Sequence, residues 1–100
     1  MDKSEVVTKL TKYKVLISEY FDIDSVILYG SYAGGTQREE SDIDVAVVVN
    51  SIDDAYFSYA PLLWKLRREI DDRIEPVLVE KGKDKSGFLQ EIMRTGLVIA

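Results

Sequence analysis

Residues 25–49 hold the stretch on which the fold turns: Ser25-Val26-Ile27-Leu28-Tyr29-Gly30-Ser31, ten further residues, then Asp42-Ile43-Asp44-Val45-Ala46-Val47-Val48-Val49. Ser25 to Tyr29 is short, β-branched and largely apolar, the composition of a buried strand. Gly30-Ser31 breaks it, and the polar run from Thr36 to Ser41 reads as a loop. Ile43 to Val49 is a second apolar strand, stopped by Asn50-Ser51. Two buried strands need covering on both faces, so the flanking sequence is expected to supply helices.

It does. Val6, Leu10, Tyr13, Ile17 and Tyr20 step by four, three, four and three, the spacing of one apolar helical stripe ending before Asp22. Asp2, with Glu5 three residues on, resembles a capping box. Tyr59, Leu63, Leu66 and Ile70 repeat the stripe within Ala55 to Ile70, where Pro61 leaves the start of the helix open, since proline suits only a first turn. Ile74 to Val79 reads as a third strand, with Pro76 marking an edge or a bulge. Ser86 is a candidate N-cap for a last helix carrying Phe88, Leu89, Ile92 and Met93, with Gly96 as its C′ residue and Leu97 to Ile99 as a terminal strand. The order α-β-β-α-β-α-β, without repeat or linker, implies an α/β (α+β) fold: a mixed β-sheet with flanking helices, forming one domain over residues 1–100.

Composition narrows the chemistry. There is no cysteine and no histidine. That excludes disulfides, thiolate or imidazole metal sites, cysteine nucleophiles and a Ser-His-Asp triad. Carboxylates, hydroxyls, lysine, arginine and backbone remain. A net charge of −5 argues against a domain built to grip nucleic acid. The apolar runs are far shorter than a membrane span and the N-terminus lacks a secretory pattern, so the expected location is cytoplasmic.

Asp42 and Asp44 are two residues apart at the start of a strand, so both carboxylates point to one face while Ile43 points to the other. Such a pair repels itself, and the common relief is a cation or a shared proton. Oxygen-only ligands suit magnesium, which completes its shell with water and phosphate oxygens. A turn at Ser41-Asp42 with an exposed Asp44 is the ordinary alternative. Gly30 at a strand end lets the chain turn and a ligand approach closely, and Ser31 offers a hydroxyl and an N–H to a phosphate; alone, Gly-Ser is a common turn.

Taken together, Gly30-Ser31, ten residues, and Asp42-Ile43-Asp44 resemble the signature of the polymerase-beta-type nucleotidyltransferases. The flanking text agrees: Val26 to Ala33, then Gly35-Thr36, then Ser41. The resemblance continues into Arg73-Ile74-Glu75-Pro76-Val77-Leu78-Val79, where the family places a third carboxylate, matching Glu75, and into the last helix and strand. It implies a polymerase-beta-like fold and transfer of a nucleoside monophosphate with release of pyrophosphate. Asp42, Asp44 and Glu75 would be the catalytic, metal-binding carboxylates for two Mg2+ ions, and Gly30 and Ser31 would bind the nucleotide. Glu80 competes with Glu75, but simple alternation sets it on the other face.

Two positions depart from the family pattern. Gly34 stands where many members carry an arginine, for which Arg38 or the lysines of loop 81–85 are candidate substitutes. The third carboxylate is a glutamate followed by proline, where aspartate is commoner. Other features have plain readings: Tyr56, Phe57 and Tyr59 as packing rather than a base-stacking platform, Trp64 as core, and Lys81, Lys83 and Lys85 as solvated surface.

At this length the chain resembles the minimal nucleotidyltransferases (MNT), the antitoxins of HEPN/MNT pairs. That resemblance implies AMP transfer from ATP to a tyrosine of a HEPN-domain toxin partner. Two other readings stay open. One is a catalytically weak or inactive antitoxin that neutralises its partner by contact. The other is a small-molecule or RNA nucleotidyltransferase. A one-domain transferase leaves its site open on one side, so a homodimer or hetero-oligomer is expected to close it.

Overall fold

The computed structural model describes residues 2–35, 41–50, 56–83 and 87–99, with side chains of the third helix described from Ala60 onward. Helix α1 (Lys3–Ile17) leads into β1 (Ile23–Tyr29), a four-residue helix α2 (Ser31–Gly34) and β2 (Ile43–Val49). Helix α3 (Tyr56–Leu66) runs on into a 3-10 turn at Arg67–Glu69 and then β3 (Ile74–Glu80), α4 (Phe88–Thr95) and β4 (Leu97–Ile99). The expected mixed sheet is present, in the order β3-β2-β1-β4. β1 is antiparallel to both β2 and β4, and β2 is parallel to β3.

The apolar stripes decide which helix covers which face. Val6, Leu10, Tyr13 and Ile17 of α1 and Leu63 and Leu66 of α3 pack on Val26, Leu28, Ile43, Val45, Val47 and Val49. The Tyr13 hydroxyl donates to the Leu63 carbonyl at 2.7 Å, tying α1 to α3 inside that core. On the other face α4 lays Ile92, with Phe88 and Leu89, over Ile27, Ala46 and Val48. The N-cap reading of Asp2 holds, its carboxylate accepting from the Glu5 N–H at 2.8 Å.

Several expectations are corrected. Tyr20 lies beyond α1 and is 48% exposed, because the chain leaves the helix at Ser18, whose N–H bonds back to Lys14. Trp64 is not core: it is 44% exposed and carries the Arg67 guanidinium 4.7 Å above its ring, since the buried stripe runs through Leu63 and Leu66 and leaves Trp64 to one side. Met93 likewise faces outward on α4. The helix start left open at Pro61 is settled by α3 beginning at Tyr56, which puts Pro61 inside the helix. Gly96 caps α4 with an extended backbone (φ −90°), not a left-handed one; glycine is needed because a β-carbon would press on the carbonyls of Ile92 and Leu28. The N-cap of α4 is Gly87 rather than Ser86, with no side-chain cap bond; Ser86 itself, and the side chains of Tyr56, Phe57 and Tyr59, lie outside the described residues.

Candidate active site

The carboxylates meet at one end of the sheet. Asp44 is the cross-strand partner of Tyr29 on β1 and of Glu75 on β3. Neighbours in a sheet share a face and strands lie about 4.8 Å apart, so Tyr29, Asp44 and Glu75 form one row. The row lies on the face covered by α4, and alternation brings Asp42, one residue ahead of β2, to the same side. Asp42 is exposed, and Asp44 and Glu75 are half-buried.

The electrostatics follow from this crowding. Burial raises the Asp44 pKa above the ordinary carboxylate value, and the charge of Asp42 adds to it. Glu75 is raised by burial, by the charges of Asp42 and Asp44 and by a hydrogen bond with Asp42, against a smaller pull downward from Arg67. Tyr29 is raised by burial and then by the same Asp44 and Glu75. Three mutually repelling oxygen donors on one face fit a hard divalent cation. Among the described residues, no three acidic side chains are gathered closely enough to enclose an ion by themselves. Such a site suits an ion that keeps waters and takes phosphate oxygens into its shell.

Gly30 is required by geometry twice over. Its φ of 75° and ψ of −148° fall where only glycine is at ease, and a β-carbon there would overlap the Asp44 carboxylate. This conformation turns the chain out of β1 into α2, so Ser31 begins that short helix beside Asp44, closed by the Gly34 N–H to the Gly30 carbonyl at 3.1 Å.

Pro76 does not disturb the third strand. The Ile43 N–H donates to the Arg73 carbonyl and the Lys81 N–H to the Val49 carbonyl, so the odd-numbered residues of β3 face β2. Pro76 therefore stands where an N–H would point away from the sheet, and the ladder runs unbroken from Ile43–Ile74 to Val49–Glu80. Glu80 pairs with Val49 at the far end of the sheet, roughly 17 Å from Glu75 at about 3.4 Å per residue. Lys81 and Lys83 are there too, paired with Asp24 and Glu80, so neither replaces a cation at Gly34. Arg38 and Lys85 lie outside the described residues.

The sequence reading left out Tyr29 as part of the row, although the alternation of Ile27 and Tyr29 against Val26 and Leu28 carries that information. Its ring stands edge-on to Phe88 of α4, centroids 5.4 Å apart, forming an aromatic wall beside the carboxylates. The contribution of Arg67 to Glu75 has no sequence signal, because it arises only when the turn after α3 folds back.

Comparison with known proteins agrees with this fold. A protein of Methanocaldococcus jannaschii, provisionally named a protein adenylyltransferase, is 30% identical over 95% of this chain and 94% of its own. The protein adenylyltransferase MntA of Thermococcus cleftensis is 29% identical, over 90% of this chain and 88% of its own. Among solved structures, a chain of a toxin–antitoxin with AMP-PNP superposes with a TM-score of 0.64 at 26% identity, over 92% of this chain and 72% of that one. The family model for polymerase beta nucleotidyltransferases matches residues 11–100. The chain belongs to the polymerase beta nucleotidyltransferase family, whose members are nucleotide-transferring enzymes.

Proposed function

We propose that this enzyme transfers AMP from ATP to a tyrosine hydroxyl of a HEPN-type toxin and so acts as its antitoxin, with Asp42, Asp44 and Glu75 holding Mg2+. The observation that carries the reading is the cross-strand row Tyr29–Asp44–Glu75, with Asp42 beside it and Gly30 against Asp44. The relatives named protein adenylyltransferases support the reaction type, and the likeness to a toxin–antitoxin chain supports the partner.

In this reading Gly30 and Ser31 hold the terminal phosphates of ATP through backbone and hydroxyl. Asp42, Asp44 and Glu75 would hold Mg2+, which would supply charge stabilisation to the transferred phosphate. Glu75, at the edge of the sheet, takes the proton from the acceptor hydroxyl, whose oxygen bonds to the α-phosphorus as the bond to the pyrophosphate oxygen breaks.

Gly34 favours a second reading, a contact-only antitoxin. A side chain there would meet nothing among the described residues, so the arginine common at this position is absent by sequence and not by crowding. Intact-mass spectrometry of the co-purifying partner, before and after Mg-ATP, separates the two. The transferase adds the mass of AMP, and does not in Asp44→Asn. A stable partner that gains no mass establishes the contact-only reading.

A further inference from the structure

Behind the carboxylate row lies a polar cluster that the proposed reaction does not use. The Asp71 side chain is 9% exposed and makes four bonds. Its Oδ1 accepts from the Arg73 backbone N–H at 2.9 Å and from Arg73 Nε at 3.1 Å. Its Oδ2 accepts from Arg73 Nη2 at 3.0 Å and from Lys9 Nζ of α1 at 2.7 Å. The Asp71 backbone is engaged as well: its N–H donates to Arg67 at 2.8 Å, and its carbonyl accepts from Ile74 at 3.1 Å. The turn between α3 and β3 is thereby cross-linked at every step and anchored to α1.

That turn ends in one contact of consequence. The Arg73 carbonyl accepts the Ile43 N–H at 2.8 Å, at the first rung of the β2–β3 ladder. Ile43 is the residue between Asp42 and Asp44, so its backbone orientation sets the direction of both carboxylates. Arg73 is also two residues ahead of Glu75. One carboxylate, its side chain 9% exposed, thus holds the turn from which both strands of the acidic row are reached. We propose that Asp71 is a positioning residue of the catalytic centre, acting through the Arg73 carbonyl on the segment Asp42–Asp44. This rests on the reading of Asp42 and Asp44 as metal-binding groups. A turn that needed only local closure would use the Arg73 N–H alone; here the guanidinium is gripped too, and Lys9 is brought from 62 positions away. Catalytic groups tolerate about 0.5 Å of looseness, and a strand start released from its neighbour exceeds that.

The test compares wild type, Asp71→Ala, Asp71→Asn and, as a control at the far end of the sheet, Asp24→Asn. Two quantities are measured on the whole chain: amide hydrogen exchange by NMR, and the affinity for Mn2+ alone by paramagnetic relaxation. In Asp71→Ala the core Val47 amide reports the overall loss of stability, the Ile43 amide is expected to accelerate at least tenfold more than Val47 does, and Mn2+ to bind at least fivefold more weakly. Asp71→Asn, which keeps an acceptor for the Arg73 N–H, falls between, and Asp24→Asn matches wild type. Should Asp71→Ala fail to fold, Asp71→Asn decides by the same criteria. Parallel acceleration at Ile43 and Val47, or unchanged Mn2+ affinity in a folded Asp71 variant, overturns the proposal. If Asp42→Asn binds Mn2+ as wild type does, the metal reading falls, and Ile43 exchange alone then judges the positioning role.

Discussion

Gly30 and Asp44 are packed so closely that the space a β-carbon would take at Gly30 is held by the Asp44 carboxylate. Gly30→Ala therefore meets both a steric and a conformational obstacle. The backbone at φ 75° and ψ −148° costs a non-glycine residue about 1–3 kcal/mol, and relief by displacing Asp44 moves a carboxylate of the site. Urea unfolding is expected to show at least the lower end of that loss. Nucleotide transfer by the remaining folded protein should fall at least tenfold. Activity equal to wild type would show that Asp44 need not stay where it is.

In the proposed reading Asp44 sets stability against function. Burial first, and Asp42 second, raise its pKa in the folded state. An acid whose folded pKa is raised binds its proton more tightly when folded, so its ionisation at neutral pH works against the fold. Asp44→Asn removes that penalty. Since Asp44 is only half-buried and solvent screens it, the gain is about 0.5 kcal/mol, or some 2–4 °C in Tm. Mg2+ should raise the Tm of wild type by mass action and leave Asp44→Asn unmoved. A variant that melts lower than wild type in the absence of metal would refute this account of the row.

How much of this was legible in the sequence depends on range. The Val6–Ile17 stripe, the strand Ile43–Val49 and the pairing of Asp42 with Asp44 are local periodicities, and they survive folding intact. Glu75 was placed by resemblance alone, since its position beside Asp44 requires β3 to lie parallel to β2, which no local pattern dictates. Trp64 was misread because its apolar character says nothing about where the helix stripe ends. Asp71 was invisible: its partners Lys9 and Arg73 converge only when α1 and the turn before β3 come together. Pro76 leaves the β2–β3 ladder intact for a reason of hydrogen-bond direction, which sequence does not state.

Tyr32 offers a test in the opposite sense. It is fully buried, and its hydroxyl has no hydrogen-bond partner among the described residues. A buried donor left unsatisfied costs about 1–3 kcal/mol, so Tyr32→Phe keeps the ring packing and deletes the penalty. Thermal melting should show a variant equal to wild type or more stable, by up to roughly 1 kcal/mol. A loss of more than about 1 kcal/mol would mean that the hydroxyl has a partner after all.

The acid limb of the stability curve belongs to Asp71. Its bonds to Arg73 and Lys9 hold its carboxyl well below the usual carboxylate range, burial opposing them only in part. A depressed folded pKa means that the unfolded chain binds the proton first. The stabilisation is thus complete at neutral pH, begins to fade near the unfolded value of about 3.9, and is gone only below the folded pKa. Asp71→Asn should cost about 1–3 kcal/mol at pH 7, as expected for hydrogen bonds to a charged group. Because Lys9 and Arg73 are each about one-third exposed (33% and 34%), added salt should reduce that cost. Urea midpoints at pH 7, 5, 4 and 3 measure the gap between wild type and variant. It should hold from pH 7 to 5 and narrow below pH ~4 as wild type loses what the variant never had. A gap that stays constant down to pH 3 would mean that the Asp71 charge contributes nothing, and that the turn is held by backbone bonds and by the neutral acceptor alone.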